Sequence, residues 1–223
     1  MQLIPLFPLR MIVFPNEKVN LHVFEPRYKQ LINDCLPRNL GGNSEDISFC
    51  IPFYNKNRLM PTVAEVRLTE ITKIHDDGKM DVKTQATEKI YRIKKVRKDL
   101  SDKLYSVAVV EPLQYDYHDS DSYLALQIQE KMTLLYELLS IDKEIPSIKD
   151  LMIFDVGHYL GLSQMQEFQL LTITSENARQ EFVLNHLENF IPTVQKMQHL
   201  QRKAKLNGHF KNLLPPDFKI TDL

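Results

Sequence analysis

The sequence predicts an α+β protein. A β-rich N-terminal lobe, a partly closed antiparallel barrel of about six strands with one inserted helix, precedes an α-helical bundle lobe. Three observations carry this reading. Pro5, Pro8 and Pro15 cut the apolar N-terminal run into pieces too short for a helix, which leaves extended segments with bends between them. Further on, Met80, Val82, Thr84 and Ala86 take one face of an extended segment while Lys79, Asp81, Lys83 and Gln85 take the other, the pattern of a half-buried antiparallel strand. After Tyr115 the apolar period lengthens from two residues to that of a helix. The boundaries implied are residues 1–116 for the barrel lobe, 120–208 for the helical lobe and 209–223 for an extended C-terminal tail.

Taken in order, the first bent strands give way to a helix over 26–36. Pro26 suits its first turn, where the missing N–H costs nothing, and Glu25 sets negative charge at its N-terminus. Residues 37–46, with a proline, two glycines and no apolar period, read as a loop. Strands resume at 47–54 and 62–75, and Asp76-Asp77-Gly78-Lys79 supplies a hairpin turn. Strands are also expected over 89–96 and 105–110. Residues 115–122 form a polar linker that ends in capping residues, and Leu124, Ile128, Met132, Leu135 and Leu139 then repeat at helical spacing. Ser147 is expected to cap a second helix, apolar all round at its centre, that Gly161 terminates. Ser163 with Gln166 forms a capping box for a third. A long fourth helix starts near Ser175; Pro192 is expected to kink or divide it and Gly208 to end it.

Over residues 4–28 the segment IPLFPLRMIVFPNEKVNLHVFEPRY resembles the opening pattern of the N-terminal domain family of Lon proteases, LPLFPLRxxVLFPGxxxPLxIFEPRY. Pro5, Leu6, Phe7, Pro8, Leu9, Arg10, Phe14, Pro15, Leu21, Phe24, Glu25, Pro26, Arg27 and Tyr28 fall in place without a gap. Asn16 stands where many members have glycine, and asparagine also tolerates positive φ in a turn. More loosely, PTVAEVRLTEI resembles the family's GTVAEI segment and DGKMDVKTQATEKIYRI its DGRxxVxxxGxxRFRI segment. There Pro61, Thr87 and Ile90 depart from the usual glycine, glycine and arginine. The helical half is similar to the family's C-terminal lobe. The resemblance implies a PUA-like pseudobarrel and a substrate-binding lobe standing alone, lacking the ATPase and protease domains.

Composition narrows the classes. With 43% hydrophobic residues, 26% charged and a formal net charge of −1, the chain reads as an ordinary soluble protein, and nothing global recruits nucleic acid. Cys35 and Cys50 are too few for a disulfide framework and no N-x-[ST] site occurs, which fits a reduced compartment. Arg10 and the prolines interrupt the first apolar run before it resembles a signal peptide, and no run approaches the roughly 20 residues that span a bilayer, so a cytoplasmic protein with no membrane partner is expected. The sequence carries no G-x-x-x-x-G-K-[ST], H-E-x-x-H, C-x-x-C or G-x-S-x-G motif. No catalytic residue, cofactor or metal is therefore expected, and the protein is read as a non-enzyme.

Four local clusters carry residue types that bear on chemistry. Asp116, His118, Asp119 and Asp121 have the residue types of a cation site, but acids ahead of a helix cap it and complement its dipole, which is the stronger reading. Asp155 and His158, three apart on an otherwise apolar helix, could face each other as a titratable pair, but a structural hydrogen bond or exposure on the one wet edge is the stronger reading. Residues 189–216 hold no acid, yet include Lys196, Arg202, Lys203, Lys205 and Lys211; this basic end either meets acidic partners or complements the dipole at a helix C-terminus. Glu25, Arg27 and Tyr28 either contact peptide or lock helix to sheet, and the corner fixed by Pro26 favours the lock; with Phe24 they are the candidate peptide-binding residues. The function expected is non-catalytic binding of unfolded or apolar-rich polypeptide, as a recognition module or adaptor serving a protease or chaperone. RNA binding through the PUA-like lobe and the basic helix is the alternative from another class, and a hydrolase whose site sequence does not reveal is a third.

Overall fold

The computed structural model describes residues 2–36, 48–98 and 102–206. Its strands are β1 (Gln2–Pro5), β2 (Lys18–Val23), β3 (Phe49–Cys50), β4 (Tyr54–Asn55), β5 (Arg58–Leu59), β6 (Thr62–Ile74), β7 (Met80–Arg97) and β8 (Val107–Leu113). Its helices are α1 (Pro26–Asp34), α2 (Ser122–Leu139), α3 (Ile153–Val156), α4 (Gln164–Thr172) and α5 (Glu176–Leu206), with a 3-10 turn at Gly157–Tyr159. The chain divides into two units, one formed by residues 1–116 with 164–174, the other by 117–163 with 175–223.

In the first unit β7 is the spine. β6 runs antiparallel along one side of it, while the other side is shared: β2 pairs with its N-terminal half, Lys18 opposite Gln85 through Val23 opposite Met80, and β8 with its C-terminal half. The six-stranded sheet has the order β1-β8-β7-β6-β3, with β2 branching from β7. Residues just past β1 then meet the opposite edge. Leu6 bridges Cys50 and Leu9 bridges Phe53 in parallel, through hydrogen bonds from Phe7 N to Cys50 O (2.8 Å) and from Tyr54 N to Leu9 O (2.7 Å). Bringing both edges together makes the sheet a partly closed barrel, with α1 as the inserted helix.

The alternation expected on β7 is realised: Met80, Val82, Thr84 and Ala86 are buried, and the Thr84 hydroxyl donates to Val19 O at 2.8 Å, so the one polar inward residue is satisfied. Asn16 takes φ 63°, the left-handed turn that its place in the sequence requires. Val13, Leu21, Val23, Leu31, Ile32, Phe49 and Val66 close one core against α1, and Ile4, Leu6, Cys50, Val63, Tyr91, Ala108 and Val110 form a second.

In the second unit the helical repeat of α2 buries Ala125, Ile128, Met132 and Leu135, and α5 buries Val183, Leu187, Ile191 and Val194. Two details differ from the sequence expectation. Ser147 does not cap a helix: its hydroxyl donates to Asp150 Oδ2 at 2.6 Å, and α3 begins only at Ile153 and lasts one turn. The apolar run there is explained by burial of Leu151, Ile153, Phe154 and Val156, which an irregular segment achieves without regular helix. Of the two outcomes expected at Pro192, kinking or division, division does not occur: α5 runs from Glu176 to Leu206 with Pro192 inside it. The loop at 37–46, Gly208 and the tail 209–223 lie outside the described residues.

Candidate functional site

The FEPRY corner builds a cleft on the first unit. Glu25 precedes α1 in an extended conformation (φ −74°, ψ 135°), and its carbonyl accepts the N–H groups of Tyr28 and Lys29, both at 3.0 Å; Pro26, at the first turn, has no N–H to leave unpaired. This fixes the directions of the next two side chains. Tyr28 turns inward, 6% exposed, and stacks on Phe7 with ring centroids 4.0 Å apart and planes 17° from parallel. Arg27 turns outward, bonded to Glu25 Oε2 at 2.7–2.8 Å, with its guanidinium 4.5 Å from the Tyr28 ring centroid.

Around that pair lies a cleft of about 480 Å³. Leu6 and Pro8, Tyr28, Tyr54, Leu59 and Val96 supply its apolar walls, and Arg27, Asn57, Lys98 and Ser106 its polar groups. They come from several separated parts of the unit: the segment after β1, α1, the β4–β5 hairpin, the end of β7 and the approach to β8. The tight β4–β5 hairpin carries Tyr54 and Leu59 on a turn whose central residues, Lys56 and Asn57, both have positive φ (44° and 63°). Leu6 N donates to Ser106 O at 2.9 Å, which fixes the segment after β1 against the approach to β8. Partly apolar walls with a few convergent donors are the usual make-up of a ligand site of this volume. Both side-chain cations, Arg27 and Lys98, are exposed, so the cleft offers positive rather than negative charge to a guest.

Of the four candidate peptide-binding residues, the structure brings Arg27 and Tyr28 together in this cleft, with Glu25 holding Arg27 from outside it. Phe24 points elsewhere: its ring, 58% exposed, lies 6.2 Å from that of His22. Leu6, Pro8, Tyr54, Asn57, Leu59, Val96, Lys98 and Ser106 were not singled out from sequence, and the only signal for them was that Leu6 and Pro8 belong to the same motif as Tyr28.

Two members of the cluster near 116–121, Asp119 and Asp121, cap helices. Asp121 accepts the N–H groups of Tyr123 (2.7 Å) and Leu124 (3.1 Å) at the start of α2. Asp119 accepts those of Glu176 (2.8 Å) and Asn177 (3.3 Å) at the start of α5, together with the Ser175 hydroxyl. Asp155 is exposed on α3 and His158 partly buried in the 3-10 turn that follows. Lys196, Arg202 and Lys203 are exposed along α5. Among the described residues no helix is long and apolar enough to cross a membrane.

The family model of the ATP-dependent protease La (LON) substrate-binding domain matches residues 3–189. Among solved structures, the chain is similar to a Lon N-terminal domain protein from Xanthomonas campestris, with 23% identity and a TM-score of 0.60, over 83% of this chain and 98% of that one. It is also similar to the N-terminal domain of the Mycobacterium avium complex Lon protease, with 14% identity and a TM-score of 0.59, over 84% and 98% respectively. No curated protein sequence matches the chain.

Proposed function

The chain belongs to the Lon substrate-binding domain family, and from that premise we propose that it binds extended, apolar-rich polypeptide segments without acting on them chemically. One observation carries the reading: the cleft that the FEPRY corner builds is walled by Tyr28, Tyr54, Leu59 and Val96 and rimmed by Arg27 and Lys98. An unfolded segment exposes both apolar side chains and unpaired backbone carbonyls. The aromatic and aliphatic walls take the first; the guanidinium, already oriented by Glu25 and the Tyr28 ring, donates to the second at little further ordering cost. Selectivity would be broad, since nothing in the cleft reads one side-chain shape.

A cleft this small leaves most of an unfolded chain outside, and the client must still be ordered where it is held, so affinity is expected on the order of micromolar. Such a module would present clients to a protease or chaperone partner in the cytoplasm. Fluorescence anisotropy of a labelled unfolded protein and a labelled single-stranded RNA, each titrated at two salt concentrations, tests this. The expected result is micromolar, weakly salt-dependent binding of the polypeptide that Tyr54→Ala weakens. Tight RNA binding with a steep salt dependence and no response to the polypeptide would overturn it in favour of a nucleic-acid ligand.

A further inference from the structure

On the outer face of the first unit, away from the residues of the cleft, His22, His75 and Asp81 converge. Asp81 lies on β7 with its side chain outward, between the inward Met80 and Val82. His22 stands directly opposite on β2, and His75 closes the β6 side at the hairpin, where its N–H donates to Lys79 O (2.8 Å) and its carbonyl accepts Gly78 N–H (2.8 Å). His22 Nδ1 lies 2.6 Å from Asp81 Oδ1 and His75 Nε2 lies 2.7 Å from Asp81 Oδ2. The two rings meet edge to face, with centroids 5.7 Å apart. One donor atom from each of the three residues falls within 4.8 Å of the others.

We propose that His22, His75 and Asp81 form a site for a borderline divalent transition metal, Zn(II) above all, that staples β2 to the β6–β7 hairpin. Two imidazoles and one carboxylate are a donor set that suits such ions and not Mg(II) or Ca(II), which prefer all-oxygen shells. Binding needs no redox step. Each neutral imidazole carries one proton; moving it to the other ring nitrogen frees the nitrogen that faces Asp81 to donate its lone pair, and the carboxylate turns from two imidazole N–H groups to the cation. The complex then carries a net charge of +1, with a water completing four-coordination.

The scaffold is prepared for this. His22 and Asp81 are fixed by strand register, and His75 by a hairpin whose turn depends on Gly78 at φ 73° and on Asp77 accepting Lys79 N–H (3.1 Å). Lys73 is also paired opposite Asp81, from β6, but both carboxylate oxygens are already engaged by the imidazoles. His22 is half exposed, so an ion can enter from solvent.

The test uses the full chain, stripped of metal. Calorimetric titration with ZnCl₂ is expected to show one equivalent binding with a Kd on the order of micromolar or below, and Co(II) to develop the visible absorption of a four-coordinate centre. His22→Gln and His75→Gln should each weaken binding by about tenfold or more, while His118→Gln leaves it unchanged. Imidazole nitrogen resonances of the unsubstituted protein give a second readout should a variant fold poorly: Zn(II) should move His22 Nδ1 and His75 Nε2. Absence of Zn(II) binding, an unchanged affinity in the His22→Gln/His75→Gln double variant, or shifts confined to other histidines would overturn the proposal.

Discussion

Phe7 and Tyr28 stack face to face at 4.0 Å, which joins the proline-bent segment after β1 to the first turn of α1. The same Tyr28 ring carries Arg27 4.5 Å from its centroid and lines the cleft, so the lock and the ligand wall are one side chain. Tyr28→Ala is therefore expected to cost roughly 3–5 kcal/mol, as other large core truncations do. Arg27→Ala, at an exposed position, is expected to change stability by no more than about 0.5 kcal/mol while weakening polypeptide binding. Urea denaturation of both variants, beside the anisotropy titration, separates the two roles; a Tyr28→Ala protein of unchanged stability would show that the ring belongs to the ligand surface alone.

Asp119 caps α5 from 57 residues away, accepting Glu176 N–H at 2.8 Å. The Ser175 hydroxyl, ahead of the backbone N–H groups of Asn177 and Glu176, holds its carboxyl below the usual carboxylate range. A depressed folded-state pKa means that the stabilisation is complete above the unfolded value of about 3.9 and is lost as pH falls through the folded value. Asp119→Ala is expected to cost about 1 kcal/mol at pH 7, the usual loss for a cap. Its deficit against the unsubstituted protein should shrink below about pH 4. Equal midpoints at pH 7 would contradict the capping role.

Gly161 has φ 72°, and a Cβ placed on it would lie 2.3 Å from Cε1 of Phe190 on α5. Gly161→Ala meets both backbone strain and a clash with an aromatic ring, and is expected to lower stability by about 1–3 kcal/mol. Combining it with Phe190→Leu should recover the steric part but not the strain. Thermal unfolding of the two single variants and the double variant measures the split.

What was legible in the sequence was local. Prolines 5, 8, 15 and 26 act on their own neighbours, β7 displays its alternation within a few residues, and Asp77-Gly78 is a turn wherever it is placed. Non-local relations were not legible. His22, His75 and Asp81 meet only because β2 pairs with β7 in one register, and periodicity along each strand is silent about which residue stands across from it. The cleft draws its residues from several separated segments, and of these only Arg27 and Tyr28 stand out in the sequence as ligand candidates. α3 was overread because a buried irregular segment and a buried helix share the same apolar composition. Arg179 carried no signal at all: in a sequence, a charged residue on a long helix reads as solvent-facing.

Arg179 is in fact fully buried. Its Nε donates to Glu176 Oε2 at 2.7 Å, also fully buried, and its guanidinium lies 4.5 Å from the Phe154 ring centroid and 5.2 Å from that of Tyr117. Glu176 Oε1 accepts Ile153 N–H at 2.7 Å, and Gln180, one residue beyond Arg179, accepts Asp121 N–H and donates to the Ser120 hydroxyl, both at 2.8 Å. The pair thus ties the first turn of α5 to α3 and lies beside the α2 cap. Two charges withdrawn from water are a liability unless both remain, since removing one takes away the opposite charge that the other faces at 2.7 Å. Glu176→Gln and Arg179→Met should each cost about 3–5 kcal/mol, whereas Glu176→Gln/Arg179→Met should cost well under their sum because the double variant removes both buried charges. Chemical denaturation of the four proteins gives the coupling energy directly. Additive losses would mean that the two side chains act independently rather than as a pair.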